Sequence, residues 1–197
     1  MFSLEDLLGQ QQGSQTTNQI SQMLGANPGV TQTAIQMALP MILSGLARNA
    51  AQPEGAESLS NTLQEKHDGG ILDNLGGFLN NSDSASTDGI GILGHIFGQK
   101  QGAVAQQVSK NTGLDVGQVA QLLITLAPIV MGYLGKQKQE QGLDAGGLSN
   151  MLNQQQQQIQ SSGNPMMDMV TNFLDSDQDG SAMDDLASLA SNYLTKR

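Results

Sequence analysis

The sequence predicts an all-α protein: a duplicated helix-pair bundle with two kinked long central helices, plus a C-terminal EF-hand-like helix–loop–helix. Three observations predict it. Apolar residues recur at helical spacing along most of the chain, and nothing alternates like a strand for more than a few residues. Two blocks, 19–47 and 107–135, align without a gap. Residues 175–180 read D-x-D-x-D-G, the opening of an EF-hand loop. The chain thus divides into a duplicated helical core at 1–140, with repeat units at about 16–49 and 104–137, a Gln/Gly-rich connector with a short helix at 141–163, and an acidic helix–loop–helix at 164–197.

Taken in order, 3–12 reads as a short amphipathic helix with Leu4, Leu7 and Leu8 on one face, and 14–24 as a second helix stopped by Gly25. Asn27 before Pro28 is a strong helix start, because Asn caps and Pro is tolerated at the first helical position. The helix it opens runs to about Asn49. Ile35, Ala38, Leu39, Ile42 and Leu46 form its stripe, and Pro40 lies inside, where a missing N–H and a crowded turn predict a kink. Residues 52–55 read as a loop, 58–66 as a surface helix, 67–70 as a break and 71–79 as a short amphipathic helix. Residues 80–88 read as a polar loop, with Asp88 capping 89–98. A helix at 101–111 ends at Gly113, and Asp115 caps a long helix over 116–136. Leu148, Met151, Leu152 and Ile159 mark one more short helix.

Composition limits what the protein does. In 197 residues there are 18 acidic and 8 basic residues, a formal net charge of −10. That argues against nucleic-acid binding, where a basic patch supplies most of the affinity. With no cysteine, disulfides, thiolate nucleophiles and cysteine zinc sites are excluded. Aromatics are only 3%, so the core is built from aliphatics and ten methionines. The 26 glutamines supply polarity without charge, but 38% apolar content indicates a folded chain. The opening MFSLEDLLGQ lacks a basic n-region and an apolar stretch, so a cytoplasmic location is expected. Residues 29–47 and 116–135 carry no charge and reach membrane-spanning length, yet Gln32, Gln36, Gln118, Gln121 and Thr125 interrupt them, which favours buried central helices over membrane contact.

The repeat matches Gln19 with Gln107, Ser21 with Ser109, Gly25 with Gly113, Gly29 with Gly117, Pro40 with Pro128 and Leu46 with Leu134. What recurs is punctuation: helix, glycine stop, polar cap, long helix, proline. Each unit holds one helix too apolar for water, and the simplest solution packs the two long helices together under pseudo-twofold symmetry. Within and beside the second unit, Gly94-His95-Ile96-Phe97-Gly98, the Thr112-Gly113-Leu114 turn and Ala127-Pro128 followed by Met131-Gly132 resemble the core of the YidB-like bacterial proteins. The likeness is close between 90 and 137 and loose in the first half. The resemblance implies a bacterial, all-helical domain of unknown function, and it carries over no catalytic residue.

Gly89-Ile90-Gly91-Ile92-Leu93-Gly94 fits G-x-G-x-x-G, but a polar loop rather than a buried strand precedes it, so dinucleotide binding is not expected. Gly91, Gly94 and Gly98 read instead as a small-residue face for a crossing helix. His95, among apolar neighbours, is read as structural and hydrogen-bonded to backbone; a general base or metal ligand there is the enzymatic alternative. No G-x-S-x-G, P-loop or H-E-x-x-H motif occurs. The five glutamines at 154–158 read as a solvated helix end or linker.

The specific chemical signal is the acid loop. Ca²⁺ takes six to eight hard oxygens. Alternate Asp175, Asp177 and Asp179 aim three carboxylates inward, Gly180 permits the sharp turn, and Ser181 offers its backbone carbonyl. The twelfth position, usually a bidentate Glu, is Leu186, so Asp185 (or Asp184) must close the shell. Helices are expected on either side, at Met166, Met169, Val170 and Phe173 and at Leu186, Leu189 and Tyr193. Between 139 and 192 there are eight acids and no basic residue, so the loop has no internal counter-charge. Calcium is therefore the expected cofactor. The chain reads as a non-catalytic structural or partner-binding module, with a protein partner or a second copy as the candidate partners.

Overall fold

The computed structural model describes residues 4–161. The chain divides into two units, Met1–Ser162 and Gly163–Arg197, and the description concerns the first. Its helices are α1 Leu4–Leu8, α2 Gln10–Leu24, α3 Pro28–Ala50, α4 Pro53–Lys66, α5 Gly70–Asp73, α6 Leu75–Asn80, α7 Ser82–Phe97, α8 Gln101–Thr112, α9 Val116–Gln141 and α10 Ala145–Ser161, with a 3-10 turn at Gly98–Lys100. Among the described residues there is no strand, so the all-α expectation is met.

The two long helices α3 and α9 touch at the centre, and the other helices pack around them. Ile35, Leu39, Ile42, Leu122, Leu126 and Ile129 are almost wholly buried. Both long helices are long and apolar enough to cross a membrane, but most of the apolar stretch of each is buried inside the bundle. An apolar helix enclosed by amphipathic neighbours satisfies the same composition as a lipid-facing one.

The punctuation falls where the sequence puts it. Gly25 is left-handed, and the Gly25 and Ala26 N–H groups donate to Gln22 and Ser21 carbonyls, closing α2. Gly113 is left-handed after α8. Asn27 accepts from the Gly29 N–H at 2.9 Å. Asp115 accepts from the Gln118 N–H at 2.9 Å, while Gln118 Oε1 accepts from the Asp115 N–H at 3.0 Å, a complete capping box. Pro40 and Pro128 each lie twelve positions after the first residue of α3 or α9 (28 to 40, 116 to 128).

Several boundaries differ from the sequence expectation, each for a local reason. Gly9, at φ 81°, splits the expected first helix into α1 and α2. The expected loop at 52–55 is the first turn of α4, with Pro53 at its first position. Asn74 accepts from the Gly77 N–H and divides 71–79 into α5 and α6. The largest difference is at 80–88, read as a polar loop from its Ser, Asp and Thr. It is the first half of α7, and Asp88 is a mid-helix residue rather than a cap. Packing overrides propensity there: α7 lies along α9, and Gly89 meets the Ile124 backbone so closely that a Cβ would overlap its carbonyl. The close approach is thus made by Gly89, not by Gly91, Gly94 or Gly98. Gly91 has open space around it, Gly94 meets only the end of Gln101, and Gly98 is the positive-φ residue that ends α7.

The long helix α9 runs to Gln141 rather than Lys136. In the segment read as a connector, α10 packs on α3 and α4, with Leu148 and Leu152 buried and Ser149 donating to the Ala50 carbonyl at 2.8 Å. The acid loop and its expected flanking helices lie outside the described residues.

Candidate functional site

Two glycines set the walls of a cleft. Gly55 in α4 lies on the Asn49 carbonyl of α3, and Gly89 in α7 lies on the Ile124 carbonyl of α9. Glycine lets backbones meet at these points, so α4 and α7 come down close to the central pair. Between them remains a half-open cleft of about 380 Å³. Leu46 of α3 and Met131 of α9 contribute to its floor, and Leu59, Ile92 and Ile96 extend the apolar surface up both walls. Apolar concave surface with a few polar groups at this scale is the general form of a small-ligand site.

Ser58, Thr62 and Thr87 add hydroxyls along the walls, and the charged groups and the histidines lie toward the two ends. Lys66 and His67 close α4, and Asp88 stands across from them on α7. At the other end lie Asn49 and His95, where Asn49 Nδ2 donates to the His95 carbonyl at 2.8 Å and ties α3 to α7. The His95 residue itself is exposed. Its backbone makes the structural bond that the sequence reading assigned to the ring.

His67 is the buried histidine, with 8% of its surface exposed. Its backbone leaves the helical region at φ −134° and ψ 52°, and the left-handed Gly69 follows, so the chain turns sharply over α9. Burial lowers the pKa of its imidazole from the ordinary 6.5; Asp88 and Asp68 act in the opposite sense, and Lys66 acts with burial. His67 is therefore held in its neutral form near neutral pH.

In the sequence His67 opens the break at 67–70 and His95 lies in the segment 89–98, with nothing to link them. The fold puts both on one cleft, 28 positions apart (67 to 95). Asp88 was missed as a cleft residue because the helix carrying it was read as a loop. Among the described residues, no three His, Asp or Glu side chains group closely enough to hold a metal ion. The G-x-G-x-x-G run lies within α7 and presents no phosphate-binding turn after a strand. A second, open recess of about 590 Å³ runs along α10, lined by Asn150, Asn153, Gln154, Gln156 and Gln157; amides of one helix without an apolar floor make it the weaker candidate.

Residues 6–137 match DUF937, a family of bacterial proteins of unknown function. The chain belongs to the DUF937 family. Among curated proteins and among solved structures, no match was found. The DUF937 match runs from α1 through most of α9 and contains every residue that lines the cleft between α4 and α7. It ends before α10 and before the acid loop, so those are additions to the DUF937 part of this chain.

Proposed function

We propose that this DUF937 protein is a non-catalytic helical binding module whose recognition site is the cleft between α4 and α7. The observation that carries the reading is the cleft itself: an apolar floor on the central helices, polar groups at both ends, and walls fixed by glycine contacts to backbone. The net charge of −10 supports a partner other than nucleic acid, and burial of α3 and α9 inside the bundle supports a soluble module over a membrane-associated one. The matched caps, glycine stops and prolines support duplication of the helix pairs α2–α3 and α8–α9, and the 90–137 segment supports a YidB-like member of DUF937.

A second reading concerns the acid loop, which rests on sequence. Asp175, Asp177, Asp179, the Ser181 carbonyl and Asp185 (or Asp184) form a calcium site outside the family match, serving a structural rather than a sensing role.

The cleft reading is tested with Nile red, a neutral apolar dye, and the variant Gly91→Phe. Gly91 lines the cleft with nothing within 4 Å of an added Cβ, so a bulky side chain there is accommodated without disturbing packing and is expected to obstruct the opening. Dye emission is expected to rise with the wild type and not with Gly91→Phe at equal thermal stability. Equal emission from both proteins, or none from either, overturns the assignment.

A further inference from the structure

The cleft is asymmetric in charge. Lys66, His67 and Asp88 stand at one end, where α4 finishes; Asn49 and His95 stand at the other. From Asp88 to His95 the α7 axis advances about 10 Å, at roughly 1.5 Å per residue. Lys66, the last residue of α4, and Asp88, on the facing α7, both line that end of the cleft beside His67. An ammonium and a carboxylate therefore share one end of an apolar trough about 10 Å long.

We propose that the cleft binds a zwitterionic small molecule with an apolar body, of the class of the free apolar α-amino acids. The ligand carboxylate meets Lys66, its ammonium meets Asp88, and its side chain lies along Leu59, Ile92 and Ile96 toward His95. A simple carboxylate of the same shape fits worse, because Asp88 faces its head and the whole chain carries ten excess negative charges. A simple amine meets Lys66. Only a head with both charges gains at both residues, and charged groups beside apolar surface gain most from a partner that replaces the water lost on binding. This inference rests on the cleft being a binding site.

The chain has no tryptophan, so free L-tryptophan reports its own binding by fluorescence anisotropy. L-phenylalanine, phenylpropionate and phenethylamine then compete in parallel. Phenylalanine is expected to displace tryptophan, with phenylpropionate and phenethylamine weaker by about tenfold or more. Lys66→Gln and Asp88→Asn are each expected to weaken phenylalanine by about tenfold. Asp88→Asn narrows the gap to phenylpropionate and Lys66→Gln narrows the gap to phenethylamine, a crossed pattern that loss of folding does not produce. Equal displacement by all three ligands, or tryptophan binding unchanged in both variants, overturns the proposal. If Nile red binds and Gly91→Phe excludes it while millimolar amino acids give no anisotropy or displacement, the zwitterion inference falls and the binding-module reading stands. If dye and amino acids both fail to bind, both fall.

Discussion

The carbonyl oxygen of His67 rests on the backbone of Gly135 in α9, so closely that a Cβ at 135 would overlap it. Two neighbouring glycines also sit close: Gly69 against the Lys136 Cβ, and Gly132 against the Ile71 side chain. The turn that ends α4 is thus pressed onto the central helix by three glycines, and His67 reaches the end of the cleft because of them.

A pair of glycine replacements with opposite signs follows from this. Gly135→Ala gains helix propensity of about 1 kcal/mol but forces backbone against backbone. Backbone yields less than a side-chain tip, and such overpacking typically costs about 1–3 kcal/mol. Gly91→Ala, in α7, gains the same propensity and meets nothing within 4 Å. Urea unfolding is expected to show Gly135→Ala destabilised and Gly91→Ala unchanged or slightly more stable. A stable Gly135→Ala contradicts the close approach.

Those contacts also mark where the sequence is legible. Gly25, Asn27, Gly113 and Asp115 announce themselves because a cap or a left-handed turn is set by the residue and its immediate neighbours. The apolar stripes of α3 and α9 announce themselves by period, and they are buried as the period requires. By contrast, the first half of α7 has the composition of a loop, and α7 meets its distant neighbour at Gly89, on Ile124 more than thirty positions away. The cleft fails to show for the same reason. Its two ends are joined by Gly55 on Asn49, Gly89 on Ile124 and Gly135 on His67, and none of these pairs has a sequence signature.

The buried histidine gives the protein a pH dependence with a definite sign. Desolvation lowers the His67 pKa in the folded state below the 6.5 of an exposed histidine. As pH falls through 6.5, the unfolded chain takes up the proton first, so it binds more protons than the native state and stability drops. The loss continues until the folded-state pKa is passed, and its slope does not exceed about 1.4 kcal/mol per pH unit. Asp88 and Asp68 soften the effect and Lys66 adds to it. Between about pH 7 and pH 5, the wild type is expected to lose more stability than His67→Gln in matched urea titrations. Parallel pH profiles for the two proteins refute the assignment to His67.

Gln118 joins the two helix pairs as well as capping one of them. Its Oε1 accepts from the Asp115 N–H, and its Nε2 donates to the Leu24 carbonyl at 3.0 Å, linking the start of α9 to the end of α2. Asp115→Ala removes one cap, worth about 1 kcal/mol. Gln118→Ala removes the reciprocal cap bond and the tie to Leu24, and the total is expected at about 1–2 kcal/mol. Because the capping box is shared, the double variant is expected to cost less than the sum of the singles. Strict additivity in a double-mutant cycle would show that the box contributes nothing as a unit.

The calcium reading is tested without reference to the bundle. Alternate Asp175, Asp177 and Asp179 followed by Gly180 supply the donor pattern of an EF-hand loop, and Leu186 occupies the position of the usual bidentate Glu. A shorter carboxylate at Asp185 must then close the shell, which places affinity at roughly 10⁻⁵ to 10⁻³ M. Magnesium demands a tighter octahedron and keeps its waters, so it is expected to compete poorly. Titration calorimetry of the wild type is expected to show calcium heat that Asp175→Ala/Asp179→Ala abolishes. Asp185→Asn is expected to weaken binding more than Asp184→Asn; the reverse order moves the closing ligand to Asp184. The family match ends at residue 137, so the cleft and the DUF937 core are expected to melt identically in all these variants without calcium. Absence of heat in the wild type at millimolar calcium, or equal heat in the double variant, reduces the loop to an acidic turn.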